Sequence, residues 1–445
     1  MNIVEEIQRR ADRRAAALIG EGRMVTYGAL FEMADAAAKR IGASRAARIG
    51  LDCPNGIAHV VLALAIVRAG KCLVPIASEL VERERARVLA ETGVGAIVDA
   101  HGEVHEIATG RLDFDESRLA ALNPAFIRFS SGTTGRSKGV ALSHESLLER
   151  VTAANRGLGI GPADRVVWIL PMAHHFAVSI MLYLLHGATT VIENSHLAED
   201  VLTAATEHGG TVLYGAPFHH ALLASEGSGR AWPTLRLAVS TAAALPPATA
   251  RSFDERYGVP LAQGMGIIEI GLPLLNLACR RGKPGSVGRP LPDYAAEVRG
   301  DGELFLRGPG MLDAYLVPWR TRGEITVDGW FRTGDLARID EDGDVHLLGR
   351  SQSVINVAGL KCFPEEVEAV LRELPEVKLA RVFGRENARF GAVPVAEIVP
   401  RDPANPPKIS ALSAHCRSAL ARYKVPVEFR LVESLPLTAS GKIKR

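Results

Sequence analysis

The sequence has 445 residues, which is long for one hydrophobic core and suits a large domain with a smaller one. Its 52 basic and 50 acidic residues give a formal net charge of +2 without long runs of one sign, so the charge pattern does not indicate binding to nucleic acid or to an anionic membrane. The five cysteines stand far apart with no C-x-x-C pair, which favours unpaired thiols in a reducing compartment. Because the N-terminus is charged and lacks an apolar signal core, we expect a cytoplasmic protein. We expect it to be a monomer or a homodimer.

Helical and strand-like segments alternate along the first part of the chain. Apolar residues recur at helical spacing in TYGALFEMADAAAKRIG and IAHVVLALAIVRAG, and each segment is followed by a strand-like stretch, RIGLDC or CLVPI. Further strand-like runs occur at RVVWIL, TTVI, TVLYG and LRLAVS. This alternation predicts a layered α/β body with largely parallel strands.

The pattern of turn residues and predicted strands changes after Val287. GSVGRPLPDY, GELFLRGPG and DEDGDVHLLGR combine frequent turn residues with short strands, which is typical of antiparallel β structure. Beyond Gly349, FPEEVEAVLREL begins a helix with a proline and acidic residues in its first turn. The predicted fold class is α/β: a large N-terminal layered α/β domain with a β-rich subdomain, plus a small mobile α+β C-terminal domain.

One loop, Phe129-Ser-Ser-Gly-Thr-Thr-Gly-Arg-Ser-Lys-Gly-Val140, combines hydroxyl residues and glycines with a lysine. Such a loop can wrap phosphate oxygens with backbone N–H groups and hydroxyls, while the lysine supplies charge. A flexible surface loop would have a similar composition. A Walker-type P-loop is disfavoured because Arg136 follows Gly135 where that pattern requires lysine. The candidate phosphate-binding residues are Ser130, Ser131, Gly132, Thr133, Thr134, Gly135 and Lys138.

This loop resembles the phosphate-binding signature S/T-S-G-T-T-G-x-P-K-G of the adenylate-forming superfamily, which contains acyl-CoA synthetases, peptide-synthetase adenylation domains and luciferases. Ser137 replaces the usual proline. The resemblance continues in order through GMGIIEIG, GSVGRPLP, GWFRTGDLARIDEDG, GRSQSVINVAGLKCFPEEVE and PLTASGKIKR. It implies a ligase that uses ATP, Mg²⁺ and coenzyme A to convert a carboxylic acid first into an acyl-AMP and then into a thioester. A carrier-protein thiol or an amine could replace coenzyme A, and a nucleotide-binding regulatory protein without turnover is the alternative of another class.

The resemblance assigns roles residue by residue. Lys442 corresponds to the catalytic lysine that bridges the substrate carboxylate and the α-phosphate. Asp335 corresponds to the aspartate that accepts hydrogen bonds from the ribose, and Arg350 to an arginine that contacts ribose or phosphate oxygens. Glu269 and Thr133 correspond to the magnesium ligands. Outside this context, each would be an ordinary turn, surface or tail residue. The adenine-binding candidates are Ala242, Ala243, Gly264 and Met265.

Two parts of the resemblance concern the domain layout and the thiol. It implies a large domain at residues 1–349 that binds ATP and the acid, a hinge at residues 350–353 that includes Gln352, and a small C-terminal domain at residues 354–445. In similar enzymes the small domain rotates after adenylation. The rotation brings the region that corresponds to Gly359 and Lys361 to line a thiol tunnel.

Several positions depart from the family pattern. Met265 stands where an aromatic ring usually stacks on adenine, and Ile268 replaces a threonine expected near the α-phosphate. Gln352 occupies a hinge position that is normally aspartate or lysine. The segment Ser240-Thr-Ala-Ala-Ala-Leu245 replaces a loop that is usually rich in glycine and proline. These departures favour slower adenylation and a differently tuned hinge.

The candidate acid-binding residues are His174, Ala177, Ala216 and Gly266. His174 aligns with a histidine that lies beside the acyl pocket in similar enzymes, although two adjacent histidines also occur in cores and on surfaces. Phe176-Ala177-Val178-Ser179 lacks the aspartate that pairs with an α-amino group in peptide-synthetase domains. We therefore expect an aryl or aliphatic acid rather than an amino acid.

Overall fold

The computed structural model describes residues 1–78, 80–110, 112–129, 139–357, 360–387, 390–437 and residue 443. The chain forms two compact units. The large unit consists of Met1–Ala295 and Leu306–Phe331, and the small unit of Ala296–Phe305 and Arg332–Arg445. Both units mix helices with strands, so the predicted α/β class with a large N-terminal and a smaller C-terminal part is confirmed. The hinge predicted at residues 350–353, about which the small domain would rotate, stays a prediction.

The first sheet of the large unit has nine strands, in the spatial order β15-β14-β13-β12-β11-β9-β10-β1-β2. Its strands are β1 (Ala16–Gly20), β2 (Arg23–Thr26), β9 (Arg165–Trp168), β10 (Thr189–Ile192), β11 (Val212–Gly215), β12 (Leu237–Ser240), β13 (Leu261–Ile267), β14 (Gly271–Leu275) and β15 (Arg289–Pro290). The adjacent strands β1, β10, β9, β11, β12 and β13 pair in parallel. Strands β2, β14 and β15 pair in antiparallel fashion at the two edges. The central strands are largely apolar and buried, as expected for a sheet covered on both faces.

The second sheet of the large unit has eight strands, in the order β19-β18-β8-β7-β4-β3-β5-β6. Its strands are β3 (Arg48–Asp52), β4 (Cys72–Pro75), β5 (Ala96–Asp99), β6 (Val104–Glu106), β7 (Pro124–Phe129), β8 (Gly139–Ser143), β18 (Ala314–Tyr315) and β19 (Arg320–Thr321). The strands β5, β3, β4 and β7 pair in parallel, and the others pair in antiparallel fashion.

Some helices of the large unit begin at a side-chain cap. The hydroxyl of Thr26 accepts from the N–H of Ala29 at 3.2 Å, and that of Ser143 accepts from the N–H of Ser146 at 3.0 Å. The helices are α1 (Ile3–Arg10), α2 (Tyr27–Gly42), α3 (Ile57–Arg68), α4 (Glu82–Thr92), α5 (Glu116–Ala121), α6 (His144–Leu158), α7 (Met172–His175), a π-helical turn (Phe176–Ile180), α8 (Met181–Leu185), α9 (Ala198–Glu207), α10 (Pro217–Ala224), α11 (Pro247–Tyr257) and α12 (Arg322–Ile325). Within the described residues, no helix is both long and apolar enough to span a bilayer.

Two further sheets consist mainly of residues of the small unit. The first has the order β16-β17-β20-β21, formed by β16 (Ala295–Arg299), β17 (Glu303–Arg307), β20 (Phe331–Ile339) and β21 (Val345–Arg350). The second contains β22 (Ile355–Val357), β23 (Leu360–Cys362), β24 (Val377–Asn387), β25 (Gly391–Pro400) and β26 (Glu428–Leu431). Helices α13 (Pro364–Leu371) and α14 (Ile409–Ala419) share a core with the second sheet, and short 3₁₀ turns occur at Ser351–Ser353 and Arg422–Lys424. The helix predicted after Gly349 is therefore present as α13. All five cysteines are free thiols, as predicted.

Candidate active site

Several predicted site residues follow parallel strands of the first sheet at one common edge. Strands β9, β11, β12 and β13 are neighbours and run in the same direction, so their carboxyl ends lie along this edge, which we call the carboxyl edge. His174 and Ala177 follow β9, Ala216 follows β11, and Ala242 and Ala243 follow β12. Gly264, Met265 and Gly266 lie in the last part of β13, and Glu269 follows it. In open α/β sheets this edge is where ligands bind, so the sheet gathers the predicted acid, adenine and metal residues on one side.

The acid-binding candidates after β9 lie on an irregular helical segment. His174 is half-buried in the short helix α7, and Ala177 is buried in the π-helical turn that follows. A guanidinium N–H of Arg128 donates to the carbonyl oxygen of His174, which ties this segment to the end of β7. π-helical turns occur frequently at functional sites because they displace side chains from regular helical positions.

An aromatic cluster underlies the same segment. The rings of Trp168 and Tyr214, which are register partners on β9 and β11, stack with centroids 6.4 Å apart. His175 meets Trp168 edge-on at 5.7 Å, and Tyr183 does so at 6.0 Å. Trp168 and Tyr214 are buried, so these rings form an apolar cluster at the carboxyl ends of β9 and β11, the strands that the predicted acid-binding residues follow.

A histidine pair that was not singled out from the sequence fixes the start of α10. The N–H of Ala216 donates to Nδ1 of His219 at 3.1 Å, so the proton of the neutral ring is on Nε2, which donates to Nδ1 of His196 at 3.0 Å. Burial, with smaller contributions from His196 and His220, lowers the pKa of His219 to about 3. The neutral ring thereby closes the first turn of α10 behind Ala216. Pro217 at the first helical position with a polar residue two positions later was the available sequence signal.

The adenine-loop candidate Ala242 has a left-handed backbone. Its φ is +71°, a region that favours glycine because it has no Cβ. Ala242 follows the buried Ser240 at the end of β12, in the loop that the family resemblance assigns to adenine. The loop thus keeps a glycine-like conformation although its sequence carries alanine.

Glu269 is held at its backbone carbonyl and at its carboxylate. It lies in the tight connection between the antiparallel strands β13 and β14, and its carbonyl oxygen accepts from the N–H of Leu312 at 2.7 Å. The hydroxyl of Tyr315 donates to its Oε1 at 3.1 Å. Within the part of the chain that the structure describes, no Lys or Arg forms an ion pair with Glu269. Burial and the charge of Glu269 raise the pKa of Tyr315 far above its usual range, so the phenol stays protonated and remains the donor.

The two predicted ribose and phosphate contacts lie together in the small unit. Asp335 and Arg350 are register partners across β20 and β21, with Nε of Arg350 2.7 Å from Oδ1 of Asp335. Asp335 is buried, its N–H donates to the hydroxyl of Thr333 at 3.0 Å, and Arg350 is half-exposed. Gly334 just before it has a φ of +75° and donates its N–H to Glu303 at 3.1 Å. The structure therefore joins two residues that the sequence presents fifteen positions apart.

Other predicted residues lie outside the described residues, or have a described backbone only. Gln352 lies in the 3₁₀ turn Ser351–Ser353 and Lys361 in β23, but only their backbones are described. Those outside the described residues are Ser130, Ser131, Gly132, Thr133, Thr134, Gly135, Lys138, Gly359 and Lys442.

One cluster of acidic residues in the described ranges has a spacing that could hold a metal ion, namely Asp340, Asp342 and Asp344. Asp340 accepts from the N–H groups of Asp342 and Asp344 at 3.2 and 3.0 Å and lies 2.9 Å from a ring nitrogen of His346. These contacts are those of a tight turn between β20 and β21. The cluster is remote in the chain from the predicted metal ligand Glu269.

Comparison with known proteins gives matches along the whole chain. The AMP-binding enzyme family matches residues 4–316, and the AMP-binding enzyme C-terminal domain matches residues 366–442. The sulfoacetate–CoA ligase of Cupriavidus necator is 35% identical over 336 residues, which are 72% of this chain and 66% of that ligase. The 2-succinylbenzoate–CoA ligase of Listeria monocytogenes is 28% identical over 455 residues, which are 98% of this chain and 96% of that ligase.

A solved structure extends the agreement to the fold. The o-succinylbenzoate CoA synthetase of Bacillus subtilis, in complex with an acyl-adenylate intermediate, matches with a TM-score of 0.88 and 25% identity over 100% of this chain and 97% of that chain. The family match to residues 4–316 covers well over half of the sequence. Together with the order of the motifs and the gathering of site residues at the carboxyl edge, this match establishes that the chain belongs to the AMP-binding enzyme family.

Proposed function

We propose that this chain is an ATP-dependent carboxylic acid:CoA ligase that forms an acyl-AMP and then a thioester. The observation that carries the proposal is the placement of Glu269 after β13, at the carboxyl edge, where its carboxylate has a neutral hydroxyl partner. A carboxylate held in this way is available to a divalent cation on ATP. Membership of the AMP-binding enzyme family and relatives that are CoA ligases support the same reaction.

The reaction has two balanced steps. In the first, a carboxylate oxygen of the acid attacks the α-phosphorus of ATP, a new O–P bond forms, and pyrophosphate leaves. In the second, the thiol sulfur of coenzyme A attacks the acyl carbon and loses its proton, and AMP leaves with the electrons of the broken C–O bond. Phosphoryl transfer of this kind depends on positioning and charge neutralisation more than on a protein nucleophile.

The loop that carries Ser130, Ser131, Gly132, Thr133, Thr134, Gly135 and Lys138 would hold the phosphates of ATP. Asp335 would accept hydrogen bonds from the ribose hydroxyls, and Arg350 would contact ribose or phosphate oxygens. The pairing of Asp335 with Arg350 supports this assignment because it holds the two charged groups side by side on β20 and β21. The adenine would pack against Ala242, Ala243, Gly264 and Met265, with the thioether of Met265 in place of an aromatic ring.

The donor set at Glu269 fits Mg²⁺, which prefers oxygen ligands. Glu269 would supply a carboxylate oxygen and Thr133 a hydroxyl. When bound beside the phosphates, Mg²⁺ supplies charge neutralisation. The chain itself keeps the carboxylate oriented through the Tyr315 hydroxyl and through the hydrogen bond from Leu312 to the Glu269 carbonyl.

Lys442 would bridge the acid carboxylate and the α-phosphate, offsetting the charge that develops when one anion attacks another. We infer the functional layout from the family pattern: residues 1–349 bind ATP and the acid, residues 350–353 with Gln352 act as the hinge, and residues 354–445 carry Lys442. After adenylation, Gly359 and Lys361 would line the path of the thiol. The protein would work in the cytoplasm.

The acid is proposed to be an aryl or aliphatic carboxylic acid. Ala177 and Ala216 are small and buried. The stacked rings of Trp168 and Tyr214 add apolar surface at the ends of β9 and β11, the strands that these alanines follow. His174 and Gly266 are the remaining candidates for contact with the acid. Apolar lining of this kind suits a hydrocarbon or aromatic acyl group.

The experiment that tests the proposal is product analysis after incubation with ATP, Mg²⁺, coenzyme A and a panel of aryl, fatty, dicarboxylic and amino acids. We expect acyl-CoA, AMP and pyrophosphate in equal amounts for one class of acid. If acyl-AMP forms and only a carrier-protein thiol or an amine consumes it, the acceptor is corrected while adenylation stands. Intact ATP binding without pyrophosphate from any acid contradicts the ligase and favours a nucleotide-binding regulatory protein.

A further inference from the structure

Arg150 is a fully buried cation in the large unit that the family motifs do not include. It lies on α6, and 0% of its surface is exposed. Its Nε and Nη2 donate to the carbonyl oxygen of Gly310 at 2.9 and 2.5 Å, and its Nη1 donates to the carbonyl oxygen of Ile268 at 2.9 Å. Within the described residues, the guanidinium forms no ion pair with a carboxylate. Its partners are therefore two backbone carbonyls, and it joins two separate chain segments.

The first segment is clamped at Gly310. Glu149, the residue before Arg150, accepts from the N–H of Gly310 at 2.9 Å, so neighbouring side chains of α6 hold both polar groups of this residue. Gly310 has a φ of +65°, and a Cβ there would lie 2.5 Å from the Cβ of Arg150. Only glycine fits this close approach, which fixes the segment against α6.

Both clamped segments lead to Glu269. The carbonyl of Ile268 belongs to the peptide group that immediately precedes Glu269, so Arg150 holds that peptide directly. The segment that starts at Gly310 continues to Leu312, which donates to the Glu269 carbonyl at 2.7 Å, and to Tyr315, whose hydroxyl donates to the Glu269 carboxylate at 3.1 Å. Arg150 therefore donates hydrogen bonds to both chain segments that orient Glu269. One is the peptide that precedes Glu269, and the other begins at Gly310 and carries Leu312 and Tyr315.

Packing alone does not account for a charged residue at this position. A buried cation without an acidic partner carries a desolvation penalty that an apolar side chain would avoid. Burial lowers the pKa of Arg150 to about 10, so the group is still charged at neutral pH and keeps all of its donors. The forked guanidinium can satisfy two carbonyls at once, which neither methionine nor lysine can reproduce in full.

We propose that Arg150 is a positioning residue that orients Glu269 toward the divalent cation bound with ATP. This inference rests on the proposed function, because it uses the proposed role of Glu269. Groups that orient a metal ligand typically affect metal affinity by roughly 10- to 100-fold when they are removed. Replacement of Arg150 should therefore weaken the metal-dependent part of ATP binding and leave the metal-independent part nearly unchanged.

The test compares ATP binding by calorimetry in Mg²⁺ and in EDTA, without acid or thiol, for the full chain and its variants. Arg150→Met should weaken ATP binding in Mg²⁺ by roughly 10-fold or more, as Glu269→Gln should, with little change in EDTA. Arg150→Lys, which keeps the charge but has fewer directed donors, should show a smaller loss and decides the question if Arg150→Met does not fold.

Arg48→Met is the control, because Arg48 on β3 is also buried and donates through Nε to the backbone carbonyl of Gly93 at 2.9 Å, although it also pairs with Glu116. It should lower the unfolding temperature without changing the Mg²⁺ dependence. The proposal would be overturned if Mg²⁺ strengthened ATP binding equally in the wild type and in the Arg150 variants. It would also be overturned if Arg48→Met lost as much ATP affinity in Mg²⁺ as Arg150→Met. If the Mg²⁺ effect depends on Arg150 but no acid yields pyrophosphate, the ligase proposal fails alone. ATP binding that does not depend on Mg²⁺ in the wild type overturns the role of both Arg150 and Glu269.

Discussion

Asp335 and Arg350 form an ion pair across β20 and β21, with Nε of Arg350 2.7 Å from Oδ1 of Asp335. The carboxylate is buried and the guanidinium is half-exposed, so the pair has one face toward solvent. Arg350 also donates to the carbonyl of Thr333 at 3.3 Å, and this second contact limits its rotation. A charged pair with a fixed geometry and an exposed side can exchange solvent for the hydroxyls and phosphates of a nucleotide.

Asp335→Ala should weaken ATP binding by roughly 10- to 100-fold, because hydrogen bonds to a charged acceptor contribute about 1.5–3 kcal/mol. The change should have little effect on stability, since partly exposed ion pairs contribute little. Calorimetry of ATP binding measures the effect. Glu397→Gln is the control, because it removes a comparable pair with Arg381, 2.9 Å apart on the neighbouring sheet of the small unit. ATP affinity that is unchanged in Asp335→Ala contradicts the ribose assignment.

Ala242→Gly should leave the free energy of unfolding unchanged or raise it by up to about 1.5 kcal/mol. The left-handed backbone of Ala242 disfavours a Cβ by about 1–2 kcal/mol, while glycine loses roughly 0.5–1 kcal/mol through the entropy of the unfolded chain. Urea denaturation of the purified protein measures the difference.

The neighbouring Ala243→Gly gains no relief of strain and should be destabilising. A loss of stability in Ala242→Gly equal to that in Ala243→Gly would show that the left-handed conformation of Ala242 carries no strain.

The buried His219 should make the large unit less stable in acid. Its pKa is about 3 in the folded chain, below the ordinary value of 6.5, so the unfolded chain binds an additional proton between these pH values. The contribution of His219 to the free energy of unfolding is therefore fully present above about pH 6.5. It falls toward pH 3 by up to about 1.4 kcal/mol per pH unit. His219→Gln, which does not titrate, should have a shallower decline in the free energy of unfolding between pH 6.5 and 4.5.

His220, whose pKa burial lowers to about 4, adds to the same slope and remains in the His219 variant. The exposed His101 provides the control, and His101→Gln should keep the wild-type slope. An identical pH dependence in wild type and His219→Gln would contradict the neutral, buried state of His219.

Local sequence patterns predicted the parts of the fold that depend on periodicity and on turn residues. The helical repeat in TYGALFEMADAAAKRIG corresponds to α2, and the runs RVVWIL, TVLYG and LRLAVS correspond to β9, β11 and β12. Parallel pairing of these strands then brings Ala177, Ala216 and Ala242 to the carboxyl edge, as α/β alternation predicts.

Contacts between distant segments could not be predicted in the same way. Arg150 resembles any arginine on an amphipathic helix until the chain folds, because its partners at Ile268 and Gly310 are 118 and 160 positions away. The left-handed φ of Ala242 is hidden because alanine rarely adopts it. The Asp335–Arg350 pair depends on the register of β20 and β21, which a bulge between Leu336 and Ala337 shifts.

The most direct test of the account is pyrophosphate release from ATP and Mg²⁺ in the presence of an acid panel, compared between the natural chain and Lys442→Ala. Lys442 lies outside the described residues, and its role rests on the motif PLTASGKIKR. We expect release for one class of acid, and a fall of at least about 100-fold in Lys442→Ala because the lysine stabilises charge in the transition state. No release with any acid while ATP binding is intact, or equal release from both proteins, would contradict it.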